Sequence, residues 1–400
     1  MQNGAEESIG LDFNQRPFIA IWEATQACDL ACVHCRASAQ PLRSQLELST
    51  SEAQKLIDEI AEMRVPVFVI TGGDPLKRPD IYDLVDYATG RGVHTSLTPS
   101  ATPLLTREAI AELQRRGLAR LAVSLDGSTA EIHDAFRRVP GSYDCTLKAV
   151  RWARELGFPV QINTTITRRN LADFEGLARL LKSFDISLWS VFFLVPTGRG
   201  QLQDLISAEE FEEVFSKLYA VAPHVPFDIK TTEAQHYRRY LLQRQAMESR
   251  ARHTVGTLRP RTEHSGASTG SFTSGSSRRP DGIRRAPRGL NDGKGFIFIS
   301  HAGEVFPSGF LPVSAGNVRR KPLQEIYQRS PLLVSLRDTT QLKGKCGVCE
   351  FRHVCGGSRA RAFALTGDTF AEEPCCVYQP KRTVTSDAPM AQRRATWPQA

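Results

Sequence analysis

Cys28-Asp29-Leu30-Ala31-Cys32-Val33-His34-Cys35 sets three thiols at i, i+4 and i+7. Directly before it runs Phe18-Ile19-Ala20-Ile21-Trp22, a short apolar run closed by turn-forming polar residues, which predicts a buried strand. Three thiolates at the end of a buried strand make a soft, convergent metal site. A closed structural site takes four ligands, as tetrahedral zinc and ferredoxin-type clusters do. Three thiolates on a four-iron cluster leave one iron open to an outside ligand. The competing readings are a zinc site that borrows His34 as its fourth ligand, and buried thiols with no metal.

Outward from this stretch, strands and helices alternate. Ser49 and Glu52 fit a capping box, and Ala53, Leu56, Ile57, Ile60 and Ala61 follow at helical spacing. Strands are predicted at 65–70, 94–98, 121–125, 160–165 and 188–195. Helices are predicted at 81–88, 106–116, 143–156 (capped by Ser142) and 171–184. This repeated alternation means parallel βαβ units with right-handed crossovers. Ligands of such sheets gather at the carboxyl ends of the strands, where the three cysteines lie. A further helix at 207–222, a strand at 227–230 and a helix at 232–249 follow. Beyond them come a strand at 295–299, a turn at 301–304 and a short strand at 305–306.

The spacing C-x3-C-x2-C with an aromatic just before the last Cys resembles the signature of the radical S-adenosylmethionine (SAM) superfamily. In that family the open iron chelates the amino and carboxylate groups of SAM. Thr71-Gly72-Gly73-Asp74-Pro75, after the second strand, resembles the family's G-G-E motif, which holds the SAM ammonium; Asp74 is one methylene shorter than the usual Glu. Read alone, the same residues are a turn whose glycines permit close backbone approach. Ser124-Leu125-Asp126-Gly127 resembles S-x-D-G, which implies Ser124 and Asp126 near the SAM ribose; alone it is strand-end turn chemistry. Phe136-Arg137 matches the F-R-G segment whose Arg faces the SAM carboxylate, with Arg138 in place of the Gly. By the same resemblance Asn163 and Thr165 face the methionine, and the segment from Val195 to Gly200 offers backbone to the adenine. The usual T-N-G after the third strand is Thr98-Pro99-Ser100 here, a departure with no effect readable from sequence.

A second cysteine set closes the chain: Cys346, Cys349, Cys355, then Cys375-Cys376. C-x2-C-x5-C is itself a cluster or zinc signal. The run from Gly356 to Ala362 and the segment from Glu373 to Pro380 resemble the end of SPASM/twitch domains in haem-pathway radical SAM enzymes. That match implies Cys346, Cys349, Cys355 and Cys376 as ligands of one auxiliary [4Fe-4S] cluster, with Cys375 spare. Outside the triad only six Cys remain, too few for a two-cluster SPASM domain. Pro307-Ser308-Gly309 stands where many such domains carry a first Cys, and Cys145, inside a helix, reads as a small core residue.

Composition narrows the rest. The net charge of +8 suggests nucleic acid, but nine Arg against two acids between Arg250 and Leu290 supply nearly all of it. That Gly/Ser/Pro-rich segment has no hydrophobic periodicity, so it reads as a solvated insert or a basic tether for an acidic partner. No apolar run reaches membrane-spanning length, and residues 1–16 hold no signal-peptide core. Nine Cys without such a signal argue for metal ligation in the cytoplasm rather than disulfides.

The expected fold is α/β, a partial (β/α)6 TIM-like barrel with a small C-terminal Fe–S domain. The expected divisions are a tail at 1–16, the barrel at 17–225, a connector at 226–249, the insert at 250–292, the SPASM-like domain at 293–382 and a tail at 383–400. The resemblance implies an enzyme that cleaves SAM to a 5′-deoxyadenosyl radical and abstracts hydrogen from substrate. It further implies two clusters, SAM, and a reduced flavodoxin or ferredoxin-type donor. A haem precursor is the preferred substrate, with oxidative decarboxylation of its propionates, and Arg359 and Arg361 are candidate propionate cations. The same two Arg read alternatively as a solvated helix face. Radical modification of a ribosomal peptide is the second reading. A non-enzymatic iron–sulfur carrier or redox sensor is the third.

Overall fold

The computed structural model describes residues 12–256 and 289–381. The apolar run before the cysteines forms β1 (Ile19–Glu23), which pairs in parallel with β2 (Val67–Thr71), Ile19 opposite Val67 and Glu23 opposite Thr71. Between them, α1 (Thr50–Glu62) starts at the capping box: the Ser49 hydroxyl accepts from the Glu52 amide, and the Glu52 carboxylate accepts from the Ser49 amide. Its Ala53, Leu56, Ile57 and Ile60 are buried in one core with Ala20, Trp22, Phe68 and Ile70. The alternate residues Ile19, Ile21, Val67 and Val69 point to the other face of the sheet and form a smaller cluster inside the barrel.

The pattern continues through α2 (Ile81–Gly90), β3 (Thr95–Leu97), α3 (Arg107–Arg115), β4 (Arg120–Ser124), α4 (Ala130–Arg137) and α5 (Ser142–Glu155). Then come β5 (Val160–Ile166), α6 (Phe174–Lys182), β6 (Leu188–Phe193), α7 (Ala208–Val221), β7 (Asp228–Thr232) and α8 (Tyr237–Gly256). Each strand from β1 to β7 pairs in parallel with the next, so every βα loop leaves from one rim.

Three features depart from the sequence reading. α4 was not anticipated: it is short, and two of its three buried side chains, His133 and Arg137, are polar, which hides its apolar stripe. Ser142 does not cap α5. Gly141 takes that place at φ +80°, and the buried Ser142 hydroxyl meets His133 Nε2 at 3.2 Å. The C-terminal region does not begin a separate sheet. After β8 (Asn291–Asp292), β9 (Gly295–Ile299) pairs in parallel with β1, and β10 (Glu304–Phe306) and β11 (Gly316–Asn317) add antiparallel strands. The strand order is β11-β10-β9-β1-β2-β3-β4-β5-β6-β7, so the six-strand barrel is extended at both edges. α9 (Leu323–Arg329), α10 (Pro331–Arg337), α11 (Gly344–Gly347) and α12 (Arg359–Thr366) complete the described chain.

Two elements cross the limits of the expected divisions. Helix α8 carries the connector to Gly256, and the interval assigned to the insert ends in strand β8. The N-terminal segment is held from Asp12 onward, for the Tyr327 hydroxyl donates to the Phe13 carbonyl at 2.7 Å. The middle of the insert, residues 1–11 and the tail after 381 lie outside the described residues.

Candidate active site at the strand ends

The loop after β1 brings its three cysteines together. Cys28, Leu30 and Cys32 are buried in one cluster, with Cys35, Ala39 and Val139 against it. Backbone amides point at sulfur: Leu30 N lies 3.3 Å from Cys28 Sγ, and Ala39 N lies 3.4 Å from Cys35 Sγ. Burial pushes the Cys28 thiol up from its ordinary range, against the pull of the Ser100 hydroxyl. His34 packs at a tilt on Phe136 with ring centroids 4.6 Å apart, and burial holds it well below the usual histidine range, hence neutral.

The glycines of Gly72-Gly73 serve the loop directly. A Cβ on Gly72 would stand 2.5 Å from the Thr25 carbonyl oxygen, and one on Gly73 2.5 Å from that of Ala27. Those contacts are below van der Waals range, so only glycine lets the β2 loop reach the backbone leading into Cys28. The Gly73 amide donates to Thr25 O at 2.7 Å and the Asp74 amide to Ala27 O at 2.6 Å. Asp74 is fully buried; it accepts from Thr102 Oγ1 at 2.9 Å, from the Leu76 amide at 3.2 Å and from the Ser100 amide at 3.4 Å. Burial raises its carboxyl to about 6, the hydrogen bonds opposing.

The departing T-P-S segment therefore has a structural account. Ser100 Oγ donates to the Gly73 carbonyl at 2.9 Å and lies 3.3 Å from Cys28 Sγ, tying the Gly-Gly turn to the first cysteine. Sequence reasoning missed Ser100 and Thr102, because their role depends on β2 and β3 being neighbours. It also missed Arg199. Its amide donates to Cys35 O and its Nε to Cys32 O, each at 2.9 Å, while the neighbouring Gly198 packs on the Cys35 and Arg36 carbonyls.

At the other strand ends, Asp126 is fully buried and ion-paired with Arg137. Its second oxygen accepts from the Thr165 amide at 2.7 Å, and Arg137 Nη1 reaches the Cys32 sulfur at 3.5 Å. Asp126 is thus a hub that joins β4, α4 and β5 to the cysteine loop. Ser124, Asn163 and Ser190 stand side by side in register across β4, β5 and β6, a polar row on neighbouring strands. Val195 is buried against Leu311, Leu336 and Ala360. Glu23 ends β1 buried, with Arg36 at 2.5 Å and His301 at 2.9 Å; these hold its carboxyl below its ordinary value although burial works against them.

Four of the C-terminal cysteines gather at a second place. Cys346, Cys349, Cys355 and Cys376 line one cavity. Cys375 instead packs into the main core, its thiol pushed up to about 12 by burial. Glu373 lines the cavity and accepts from the Ser358 amide at 2.6 Å and from Arg361 at 3.1 Å. Arg359 and Arg361 are 2 % and 0 % exposed, which corrects both expectations for them. They are neither a solvated face nor substrate cations. Arg361 bonds the carbonyls of Leu194 and Glu233, and Arg359 those of Thr369 and Ala371.

The radical SAM superfamily pattern matches residues 22–181. An AdoMet-dependent heme synthase of Methanosarcina barkeri is 39 % identical over 91 % of this chain and 97 % of its own length. This chain belongs to the radical SAM superfamily. A mycofactocin maturase of Mycobacterium tuberculosis is also 39 % identical, but over 48 % of this chain and 47 % of its own length. Among solved structures, Streptococcus suis SuiB bound to S-adenosylmethionine superposes with a TM-score of 0.66 over 91 % of this chain and 78 % of that one, at 15 % identity, a likeness of fold.

The cofactors of this radical SAM enzyme are a [4Fe-4S] cluster and SAM. The triad fits the cluster. No three described His, Cys, Asp or Glu side chains converge as ligands of a single ion do; cysteines of a cubane each bind a different iron and stand farther apart. Buried donors without partners surround the loop: Arg137 Nε, Arg199 Nη2 and His34 Nδ1. An anionic, sulfur-rich group is what such donors accommodate. No described helix is long and apolar enough to cross a membrane.

Proposed function

We propose that this radical SAM enzyme oxidatively decarboxylates propionate side chains of a haem precursor. The observation that carries the reading is the match along nearly the whole chain to an AdoMet-dependent heme synthase. The maturase match covers less than half of it, which makes peptide modification the weaker reading. Cys28, Cys32 and Cys35 hold the SAM-binding cluster. Cluster and SAM, when bound, would supply a 5′-deoxyadenosyl radical to take one hydrogen from the propionate, which would then lose CO2 and one electron as the double bond forms. Gly72, Gly73 and Asp74 hold the SAM ammonium, Arg137 its carboxylate, Ser124 and Asp126 the ribose, Asn163 and Thr165 the methionine, and the Val195 backbone the adenine. Cys346, Cys349, Cys355 and Cys376 hold an auxiliary [4Fe-4S] cluster. A reduced flavodoxin or ferredoxin-type protein is the electron donor, and the reaction is cytoplasmic.

A tetrapyrrole needs a broad apolar wall with cations for its carboxylates. Phe192 and Phe310 lie 6.3 Å apart, and the Arg36 guanidinium sits 4.3 Å from the centre of the Phe298 ring. Arg36 directly follows Cys35, so these groups adjoin the cluster loop. The test is anaerobic incubation of the reduced enzyme with SAM and iron-coproporphyrin, read by mass spectrometry. Loss of carboxyl mass coupled to 5′-deoxyadenosine is the expected result. An unchanged porphyrin, with a crosslink appearing in a peptide encoded beside the gene, replaces this reading with the peptide one.

A further inference from the structure

His236 directly precedes α8 and is fully buried. Its ring packs edge-to-face on Phe215, 4.9 Å between centroids, and lies 5.1 Å from Phe211. It also lines the cavity of Cys346, Cys349, Cys355 and Cys376. Neither ring nitrogen has a hydrogen-bond partner among the described residues. The Cys375 backbone acts on the ring as a hydrogen-bond acceptor does, in a contact that falls short of full hydrogen-bond geometry. An imidazole always carries at least one N–H, and a buried donor left unpaired is costly. Phe or Leu would fill an apolar gap without that cost.

Beside that backbone contact, the cavity wall offers one carboxylate. Glu373, the carboxylate on that wall, is already engaged by Arg361, the Ser358 amide and the Cys375 amide. Two more buried donors on the same wall, the Nε atoms of Arg239 and Arg352, also lack partners. Four cysteines and three residues with orphaned donors thus line one space. The missing partner is an acceptor-rich group seated among the cysteines.

We propose that His236 donates its N–H to a sulfur of the cluster held in this cavity and thereby raises its reduction potential, with Arg239 and Arg352 completing a collar of donors. The inference rests on the auxiliary-cluster reading above. Reduction adds one negative charge to the cluster. An N–H dipole aimed at sulfur stabilises that charge. His236 touches neither SAM nor substrate in this account; it tunes the cluster.

The test uses the full chain with Cys28, Cys32 and Cys35 replaced by Ala, which isolates the second centre. Iron and sulfide analysis after anaerobic reconstitution comes first. About four irons with a cubane spectrum sustain the cluster reading, whereas zinc or no metal ends it independently of His236. Potentiometric titration followed by electron paramagnetic resonance then compares His236→Phe with its parent. The expected result is a tenfold lower equilibrium constant for reduction, about 59 mV for a one-electron couple, at unchanged iron content. His236→Gln, which retains an N–H donor, should recover part of it. Equal potentials in parent and His236→Phe overturn the proposal. Should His236→Phe take up no iron, the unsubstituted cavity decides, in triad-free protein carrying isotopically labelled histidine. Pulsed resonance should then show a weak histidine-nitrogen coupling. No coupling, or the strong coupling of a nitrogen bound to iron, overturns it equally.

Discussion

Asp74 is a buried carboxylate held on three sides. Its carboxylate is drawn under the loop after β3 by Thr102, Leu76 and Ser100, and burial lifts it to about 6. A carboxylate attracts the SAM ammonium and a neutral carboxyl does not. SAM affinity is therefore expected to be full above the raised value and to fall as the pH drops through about 6. Asp74→Asn should bind SAM more weakly at pH above that value and lose the dependence. Calorimetric titration across that range checks it; an identical profile in the variant returns Asp74 to a purely structural role. The residue also marks a limit of sequence reading. G-G-D-P identified the place, but two of Asp74's partners, Ser100 and Thr102, come from a loop 26 to 28 residues away, which no local pattern connects.

At the scale of elements, two loops depend on backbone that only certain residues tolerate. Gly73→Ala would drive a methyl onto the Ala27 and Gln26 carbonyls at 2.5 and 2.6 Å, both backbone atoms that cannot rotate away. The cysteine loop has to move. The expected outcome is loss of the triad's iron, about half of the total, with the C-terminal centre retained; iron analysis with cluster spectroscopy reads it. The opposite change is expected at the end of α4. Arg138 is its C-cap at φ +56°, a left-handed conformation that strains a side chain, and there the family motif carries glycine. Arg138→Gly should stabilise the protein by about 1 kcal/mol, measured by chemical denaturation. The departure from F-R-G is thus a local strain on an exposed residue, and the fold pattern survives it. α4 itself escaped sequence reading because its buried face holds His133 and Arg137 beside Phe136, and an apolar period cannot register polar residues buried by partners.

At the scale of the whole molecule, one arginine ties the two centres' scaffolds. Arg361 reaches from α12 to the Leu194 carbonyl at the end of β6, to Glu233 after β7 and to Glu373 beside the second cavity. Burial works against its charge, but the Glu373 carboxylate holds it protonated. Arg361→Met would leave Glu373 charged and unpaired, at a cost of about 3–5 kcal/mol. A cooperative loss of thermal stability, with release of iron from the C-terminal cysteines, is expected; an unchanged melting curve would show the clasp to be dispensable. By contrast, replacing residues 259–286 with a short Gly/Ser linker should leave iron content and SAM cleavage intact, because that Arg/Gly/Ser composition holds no apolar period with which to join a core. Iron analysis and 5′-deoxyadenosine formation in the shortened chain test it.

By itself the sequence determined the repeating βα units, the capping box on α1, the first strand and the grouping of cysteines into a triad and a C-terminal set. These follow from spacing along the chain: periods of hydrophobicity, caps and motif intervals are local quantities. Only the tertiary structure decided that β9 pairs with β1 and so makes the C-terminal module an extension of the barrel sheet. It also separated Cys376, on the cavity wall, from Cys375, in the core, and buried the two arginines of α12 that composition alone would place in solvent. Strand pairing, the side on which a thiol lies and the burial of a charge depend on partners far apart in the chain. Their energies come from contacts that exist only once the chain has folded.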